Sequence, residues 1–346
     1  MTSDLGAATA AITCPSCESP VADGDDFCEA CGTQLTETAQ AAPVEPVAAT
    51  ATPKVCHVCG GEVTDDGFCG SCGTKARTER DHWSESPSAA LAAVCDRGIA
   101  HARNEDAMAM GVSDDGSVSV MVVCDGVTSA PDSDRASLSA SKAARDLLLD
   151  GVDGAPAGGA GAIEHWSKAI TAATVEANHA AVAIARSLGD PPEPPSSTFV
   201  TAVAAGPLVV AGWCGDSRAY WLPDDGEPVM LTVDHSLGTE MIRGGMTREE
   251  AEAQPDCHTI TRWLGADSPT PISEITTVEM AAPGWLVLCS DGLWNYVSEP
   301  DDLRTMIADH AGADNATPLT IADALVAYAN EQGGHDNITA ALLRHT

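Results

Sequence analysis

Two apolar runs, Val120-Met121-Val122-Val123-Cys124 and Trp285-Leu286-Val287-Leu288-Cys289, each stop at an aspartate followed by glycine: Asp125-Gly126 and, after Ser290, Asp291-Gly292. A short unbroken apolar run bounded by turn residues reads as a buried strand. Each carboxylate therefore sits where a strand leaves the core, partly desolvated, a costly place for an anion without cations or hydrogen bonds. Asp-Gly is also a good turn dipeptide, so either stretch alone says little. The weight lies in what accompanies them: Asp96, Glu105, Asp106, Asp216 and Asp336, mostly beside Gly, Asn or Ser. Several carboxylates with no soft ligand among them suit hard, oxygen-preferring cations such as Mg2+ and Mn2+.

A second chemistry is written in sulfur. Eight of the 13 cysteines fall in four Cys-x-x-Cys pairs: Cys14/Cys17 with Cys28/Cys31, and Cys56/Cys59 with Cys69/Cys72. Each pair presents two thiolates on a tight knuckle, a glycine after Cys31, Cys59 and Cys72 permits a left-handed turn, and two knuckles close a tetrahedral zinc site. Segments this small cannot fold on apolar burial alone, so two structural Zn2+ ions would supply their folding energy. A redox dithiol is expected singly, and a catalytic zinc keeps an open position; neither fits. The remaining Cys95, Cys124, Cys214, Cys257 and Cys289 lie in apolar runs or lack basic neighbours, as expected of core residues rather than nucleophiles.

The elements that must position these groups fall in one region. Beyond about Leu91, apolar runs alternate with Asp, Gly and Pro. Strands are expected at 91–95, 118–124, 198–204, 208–214, 218–222, 275–280, 285–289 and 337–343. Ala-rich stretches at 133–149 and 160–188, and the segments 299–310 and 319–332, have helical spacing. Strands in sheets covered by pairs of long helices give a layered α+β arrangement. Two polar stretches, 36–53 and 76–90, read as linkers. The expected division is ribbon 1 at 1–35, linker 36–53, ribbon 2 at 54–75, linker 76–90, and one large domain at 91–346.

The 51 acidic residues against 17 basic give a formal net charge of −34. That balance argues against nucleic acid or an anionic membrane as a main partner, and disfavours a zinc-ribbon nucleic-acid binder, since phosphate backbones are met by clustered Lys and Arg. The absence of an apolar run of about 18 to 20 residues argues against a membrane span, and no basic segment leads into an apolar one at the N-terminus. A cytoplasmic, reducing setting is the expectation.

The contexts Asp96-Arg-Gly-Ile-Ala-His-Ala-Arg-Asn-Glu-Asp106, Asp125-Gly126, Gly215-Asp216-Ser217-Arg218, Ser290-Asp291-Gly292 and Gly334-His335-Asp336-Asn337 resemble the metal-dependent Ser/Thr protein phosphatases of type 2C. The resemblance covers essentially 91–346. It implies a four-layer αββα sandwich with a binuclear Mn2+ or Mg2+ centre at one end. By that resemblance Asp125 bridges the two metals, Gly126 contributes its carbonyl, and Asp291 and Asp336 complete the second site. Glu105 and Asp106 act mainly through bound waters, and Asp216 holds a weaker third ion. The region 235–265 resembles the family's variable flap, and Ser197-Thr198 matches a further landmark. The family's phosphate-binding Arg position is here His101, with Arg103 two residues later; one of them is expected to meet the substrate phosphate. The usual glycines after Asp-Gly are replaced by Val127-Thr128-Ser129-Ala130, so leaving-group protonation falls to His101, His235 or bound water. The expected function is hydrolysis of phosphoserine and phosphothreonine, with a Ser/Thr kinase or its phosphorylated substrates as partners and the ribbons for partner binding or regulation. The competing expectation is a catalytically weak or inactive adaptor that acts through its ribbons.

Overall fold

The computed structural model describes residues 12–13, 20–21, 55–56, 58–127, 130–313 and 316–346. Two units separate, 1–55 and 56–346. In the first, β1 (Ile12–Thr13) and β2 (Pro20–Val21) pair antiparallel. Cys14, Cys17, Cys28 and Cys31 lie outside the described residues.

The second unit starts with a knuckle pair around Cys56, Cys59, Cys69 and Cys72, packed on Val63. It continues through β3 (His82–Glu85), β4 (Leu91–Asp96), β5 (Ala107–Val112) and β6 (Val118–Cys124) into the long helices α1 (Ser133–Asp150) and α2 (Gly159–Ser187). There follow β7 (Ser196–Ser197), β8 (Phe199–Ala205), β9 (Leu208–Cys214), β10 (Arg218–Pro223), β11 (Val229–Met230), and the short helices α3 (Leu237–Arg243) and α4 (Arg248–Glu252). The chain closes with β12 (Leu264–Gly265), β13 (Glu274–Glu279), β14 (Gly284–Cys289), α5 (Asp291–Trp294), α6 (Pro300–Ala311), α7 (Pro318–Glu331) and β15 (Ile338–His345).

Two antiparallel sheets form, ordered β11-β10-β14-β15-β4-β3 and β13-β9-β8-β6-β5. The central strands are buried on both faces because each sheet has a partner sheet on one side and helices on the other. Met108, Met121, Val123, Val200, Leu286 and Leu288 fill the space between the sheets. On the outer face of one sheet Val287, Leu342, Leu303, Leu325 and Ile321 pack α6 and α7. On the other, Val120, Val122, Val203 and Val210 receive α1 and α2. The buried stripe of α2, Ala162, Trp166, Ile170, Ala173 and Ala177, recurs at three to four residues, the helical period, with alanines allowing close approach. The result is the expected αββα sandwich.

Of the elements that the pattern did not suggest, three bear on the site. Ala107–Val112 is a strand, β5. α5 is a single turn. Within the stretch read as a linker, 76–90, β3 pairs with β4 in the register His82↔Asp96 to Glu85↔Ala93. The sheet therefore begins nine residues before Leu91, and Glu85 also receives the backbone N–H of Met110 on the facing sheet at 2.7 Å.

Register explains where the site lies. Pairings Ala107↔Cys124, Arg218↔Cys289, Phe199↔Cys214 and Ile338↔Asp96 put the residues just before β5, β8, β10 and β15 and just after β4, β6, β9 and β14 at one end of the sandwich.

Candidate active site

That end collects Asp106, Asp125, Asp216, Asp291 and Asp336. Asp125 leaves β6 with its backbone locked to Thr198: its N–H donates to Oγ1 at 3.0 Å and its carbonyl accepts from the Thr198 N–H at 2.7 Å. Gly126 bridges to Ser197, and a Cβ there would lie 2.5 Å from the Glu105 carbonyl, so only glycine lets the two backbones meet. Asp291 opens α5, and Asn295 Nδ2 donates to its Oδ2 at 3.3 Å. A Cβ on Gly292 would fall on the Asn337 carbonyl, which holds the Ser-Asp-Gly turn against the entry to β15.

Asp106 is fully buried; Ser290 and Thr339 hydroxyls both donate to its Oδ2 at 2.7 Å, and its Oδ1 is buried with no partner. Asp291 Oδ1 is likewise buried and unpartnered. Burial, followed by the nearby Asp336 and Asp291, pushes Asp106 up to about 7. Burial and then Asp336 push Asp291 up to about 6. Asp125 and Asp216 are driven well above the usual carboxylate range by burial and by the other aspartates. Among the described residues no Lys, Arg or His forms an ion pair with Asp106, Asp125, Asp216 or Asp291. The cluster is several buried anions short of positive charge.

The other expected residues sit around it. His101 Nε2 is 3.3 Å from Asp336 Oδ1. Arg103 is half exposed; its Nη2 donates to Glu105 Oε1 at 2.5 Å and its Nε lies 3.7 Å from Asp134. Glu105 is thus engaged by Arg103, and its backbone by the Asn337 side chain at 2.7 Å and the Ser137 hydroxyl at 2.6 Å. Val127 donates to the Ser196 carbonyl at 2.9 Å; 128 and 129 lie outside the described residues. His235 does not lie free to protonate a leaving group. It is 2% exposed, stacks on Trp213, and its Nδ1 accepts the Gly215 N–H at 3.1 Å. Burial holds it below the usual histidine range, as a neutral brace for the Gly215-Asp216 turn.

Several supports act through partners distant in the chain. Asp96 ends β4 and accepts from Gly98 N–H at 2.8 Å, Asn330 Nδ2 at 3.1 Å and His82 Nδ1 at 2.8 Å, anchoring the loop that bears His101 to Asp106. Arg218 forks onto Asp234 and lies 3.7 Å over the Trp294 ring, whose Nε1 donates to the Asp216 carbonyl at 2.9 Å. Only spatial proximity reveals that chain, since Asp216 and Trp294 are 78 residues apart. Cys95, Cys124, Cys214, Cys257 and Cys289 are buried, as expected of core thiols.

In the second ribbon the four sulfurs of Cys56, Cys59, Cys69 and Cys72 lie within 4.8 Å of one another. The separations Cys56–Cys72 of 3.7 Å and Cys59–Cys69 of 3.5 Å approach the ~3.8 Å edge of a tetrahedron with 2.3 Å zinc–sulfur bonds. Backbone N–H groups of Val58 and Ser71 point at Cys56 and Cys69, each at 3.4 Å, and Gly60 and Gly73 take φ of 70° and 73°. Hydrogen bonds from Thr74 pull Cys72 down to about 6.

A four-layer sandwich with carboxylates gathered at one end and a four-thiol knuckle pair ahead of it defines a class. Comparison with known families makes it specific. Residues 98–328 match the model of protein phosphatase 2C, and residues 14–78 match that of the double zinc ribbon. The chain belongs to the protein phosphatase 2C family. A putative protein phosphatase 2C-type from Streptococcus pyogenes is 37% identical over 133 residues, which are 38% of this chain and 50% of that protein. The chain thus spans about half the length of the curated relatives it matches. The S. agalactiae serine/threonine phosphatase superposes with a TM-score of 0.59 at 24% identity, covering 75% of this chain and 98% of that one. The catalytic domain of the serine threonine protein phosphatase PstP, in complex with two manganese ions, does so with a TM-score of 0.52 at 25% identity, covering 74% and 98%.

Proposed function

We propose that this chain is a protein serine/threonine phosphatase that hydrolyses phosphoserine and phosphothreonine monoesters at a binuclear Mn2+ or Mg2+ centre. The observation that carries the reading is the unneutralised cluster: four aspartates raised by burial and mutual repulsion, with Asp106 Oδ1 and Asp291 Oδ1 buried and unpartnered. An all-oxygen donor set of this charge fits hard divalent cations. Asp125, the Gly126 carbonyl, Asp291 and Asp336 would hold the pair, Asp106 and Glu105 would act through water, and Asp216 would take a weaker third ion. When bound, such ions supply a water acidified toward neutral pH and neutralise phosphoryl charge.

The chain's own groups do the positioning. Ser290 and Thr339 fix Asp106, Asn295 fixes Asp291, and the Thr198 pair fixes Asp125. His101, held at Asp336, or Arg103, steadied by Glu105 and Asp134, would meet the substrate phosphate. The names of the relatives and the two manganese ions in the PstP structure support the reading. The four-thiol geometry supports a structural Zn2+ at Cys56, Cys59, Cys69 and Cys72, and the repeat extends it to Cys14, Cys17, Cys28 and Cys31, with the ribbons binding partners or regulating activity. Among the described residues no helix is long and apolar enough to cross a membrane. Phosphorylated proteins, a Ser/Thr kinase or its substrates, met in the cytoplasm, complete the proposal.

The test is Mn2+-dependent hydrolysis of a phosphothreonine peptide by the full chain, with Asp291→Asn as control. Turnover that requires Mn2+ and is lost in the variant supports the phosphatase. Mn2+ binding without turnover would leave a phosphatase-like adaptor.

A further inference from the structure

Arg80 lies outside both family matches, between the ribbon at 14–78 and the phosphatase at 98–328. Its guanidinium nevertheless reaches the floor of the site. Nη2 donates to the Asp106 carbonyl at 2.8 Å and the Asp134 carbonyl at 3.3 Å, with the Asn104 carbonyl at 3.5 Å. Asn104 Nδ2 returns a hydrogen bond to the Arg80 carbonyl at 3.0 Å, and the Trp83 ring lies 4.3 Å from the guanidinium carbon. Among the described residues no carboxylate pairs with Arg80, and its Nη1 is buried without a partner. A guanidinium placed this way commits its Nη2 donors to fixing chain path rather than to neutralising a side chain.

The carbonyls it holds belong to two segments that must stay in register. One is the 97–106 loop, which carries His101, Arg103, Glu105 and Asp106. The other is the first turn of α1, where Asp134 meets Arg103 and Ser137 holds the Glu105 carbonyl. The surrounding stretch repeats the linkage. The Arg97 N–H donates to the Asp81 carbonyl at 2.8 Å, and Arg77 lies 3.7 Å from Asp96.

We propose that Arg80 is a positioning residue of the site, fixing the carbonyls of Asp106 and Asp134 from the segment that leaves the second ribbon and so setting how the 97–106 loop presents its acidic side chains. This rests on the proposed Mn2+ or Mg2+ centre for its metal-binding readout and on the phosphatase reading for its turnover readout. On the full chain, Mn2+ affinity would be measured by calorimetry without substrate, and kcat and KM on a phosphothreonine peptide. Supports of this kind typically govern metal affinity or activity by about 10- to 100-fold. Arg80→Ala is expected to lose that much in Mn2+ affinity and kcat, with KM for the peptide within about threefold and zinc content unchanged. Arg80→Lys, whose shorter side chain cannot place a planar N–H pair at the Nη2 position, is expected in between. A folded Arg80→Ala whose Mn2+ affinity and kcat both stay within about threefold of the natural chain overturns the proposal, even if its melting temperature falls. If Arg80→Ala does not fold, Arg80→Lys decides: weakened Mn2+ binding supports the assignment and unchanged binding overturns it. A natural chain that binds Mn2+ but shows no turnover would sink the phosphatase reading and leave the calorimetric comparison to judge Arg80.

Discussion

Asp106→Asn should stabilise the chain without Mn2+ or Mg2+ at pH 8 and weaken it, relative to the natural chain, once Mn2+ is added. Asp106 is fully buried and raised from 3.8 to about 7, first by burial and then by Asp336 and Asp291. A folded-state pKa raised above the unfolded one gives a contribution present in full below pH 3.8 and lost as pH rises through about 7. At about 1.4 kcal/mol per unit, ionising Asp106 at pH 8 costs the metal-free fold about 4 kcal/mol. Asparagine removes that charge and keeps an oxygen for the Ser290 and Thr339 hydroxyls, but buries an amide where Oδ1 has no partner, at about 1–3 kcal/mol. The net is about 1–3 kcal/mol of stabilisation at pH 8, falling toward zero near pH 5, where the native carboxyl is already protonated. Urea unfolding followed by tryptophan fluorescence, with the zinc left in place, measures it. A metal-free Asp106→Asn chain no more stable than the natural one at pH 8, or a difference independent of pH, would refute the electrostatic account. Retention of the full Mn2+-induced stabilisation would refute the assignment of Asp106 to the metal centre.

Gly292→Ala drives a methyl into the Asn337 carbonyl and should cost on the order of 3 kcal/mol or prevent folding, read as melting temperature or soluble yield. Cys69→Ser should lower bound zinc by one equivalent, measured by elemental analysis, and unfold the 56–75 knuckles; unchanged zinc would refute the four-thiol site. The His82 imidazole is raised by its hydrogen bond to Asp96, so its stabilising contribution is full below pH 6.5 and lost as pH rises through the higher folded value. His82→Ala should therefore cost more stability at pH 6 than at pH 9, in paired denaturation curves, and equal costs would show that the imidazolium contributes nothing.

The sandwich was legible because its central strands are unbroken apolar runs and its long helices carry alanine at helical spacing. Asp125 and Asp291 stood out because an apolar run ends at each beside Gly or Ser, and Asp216 and Asp336 because each precedes such a run beside Gly, Ser or Asn. β3 was not: His82-Trp83-Ser84-Glu85 alternates in burial only because β4 lies beside it and Glu85 reaches Met110. Ala107 to Val112 offered small residues and methionines where β-branched ones were expected, and its burial comes from β6 and α1. His235 read as a proton donor since a sequence lists a histidine's chemistry but not its exposure; packing on Trp213 decides its role. The Arg218–Trp294–Asp216 chain joins distant stretches and has no local signature.

Because β3 is hydrogen-bonded into the sheet, the second ribbon is attached to the sandwich by a seam rather than a tether. Cutting at residue 90 would strip β4 of one of its two neighbours, leave that edge open to pairing with another chain, and take Arg80 away with the ribbon. An inactive fragment of that kind would say nothing about regulation by zinc. Any exchange of N-terminal modules between such proteins, in a laboratory or over evolutionary descent, must carry residues 77–85 with the sandwich, since the graft line that respects the fold runs between the knuckles and Arg77.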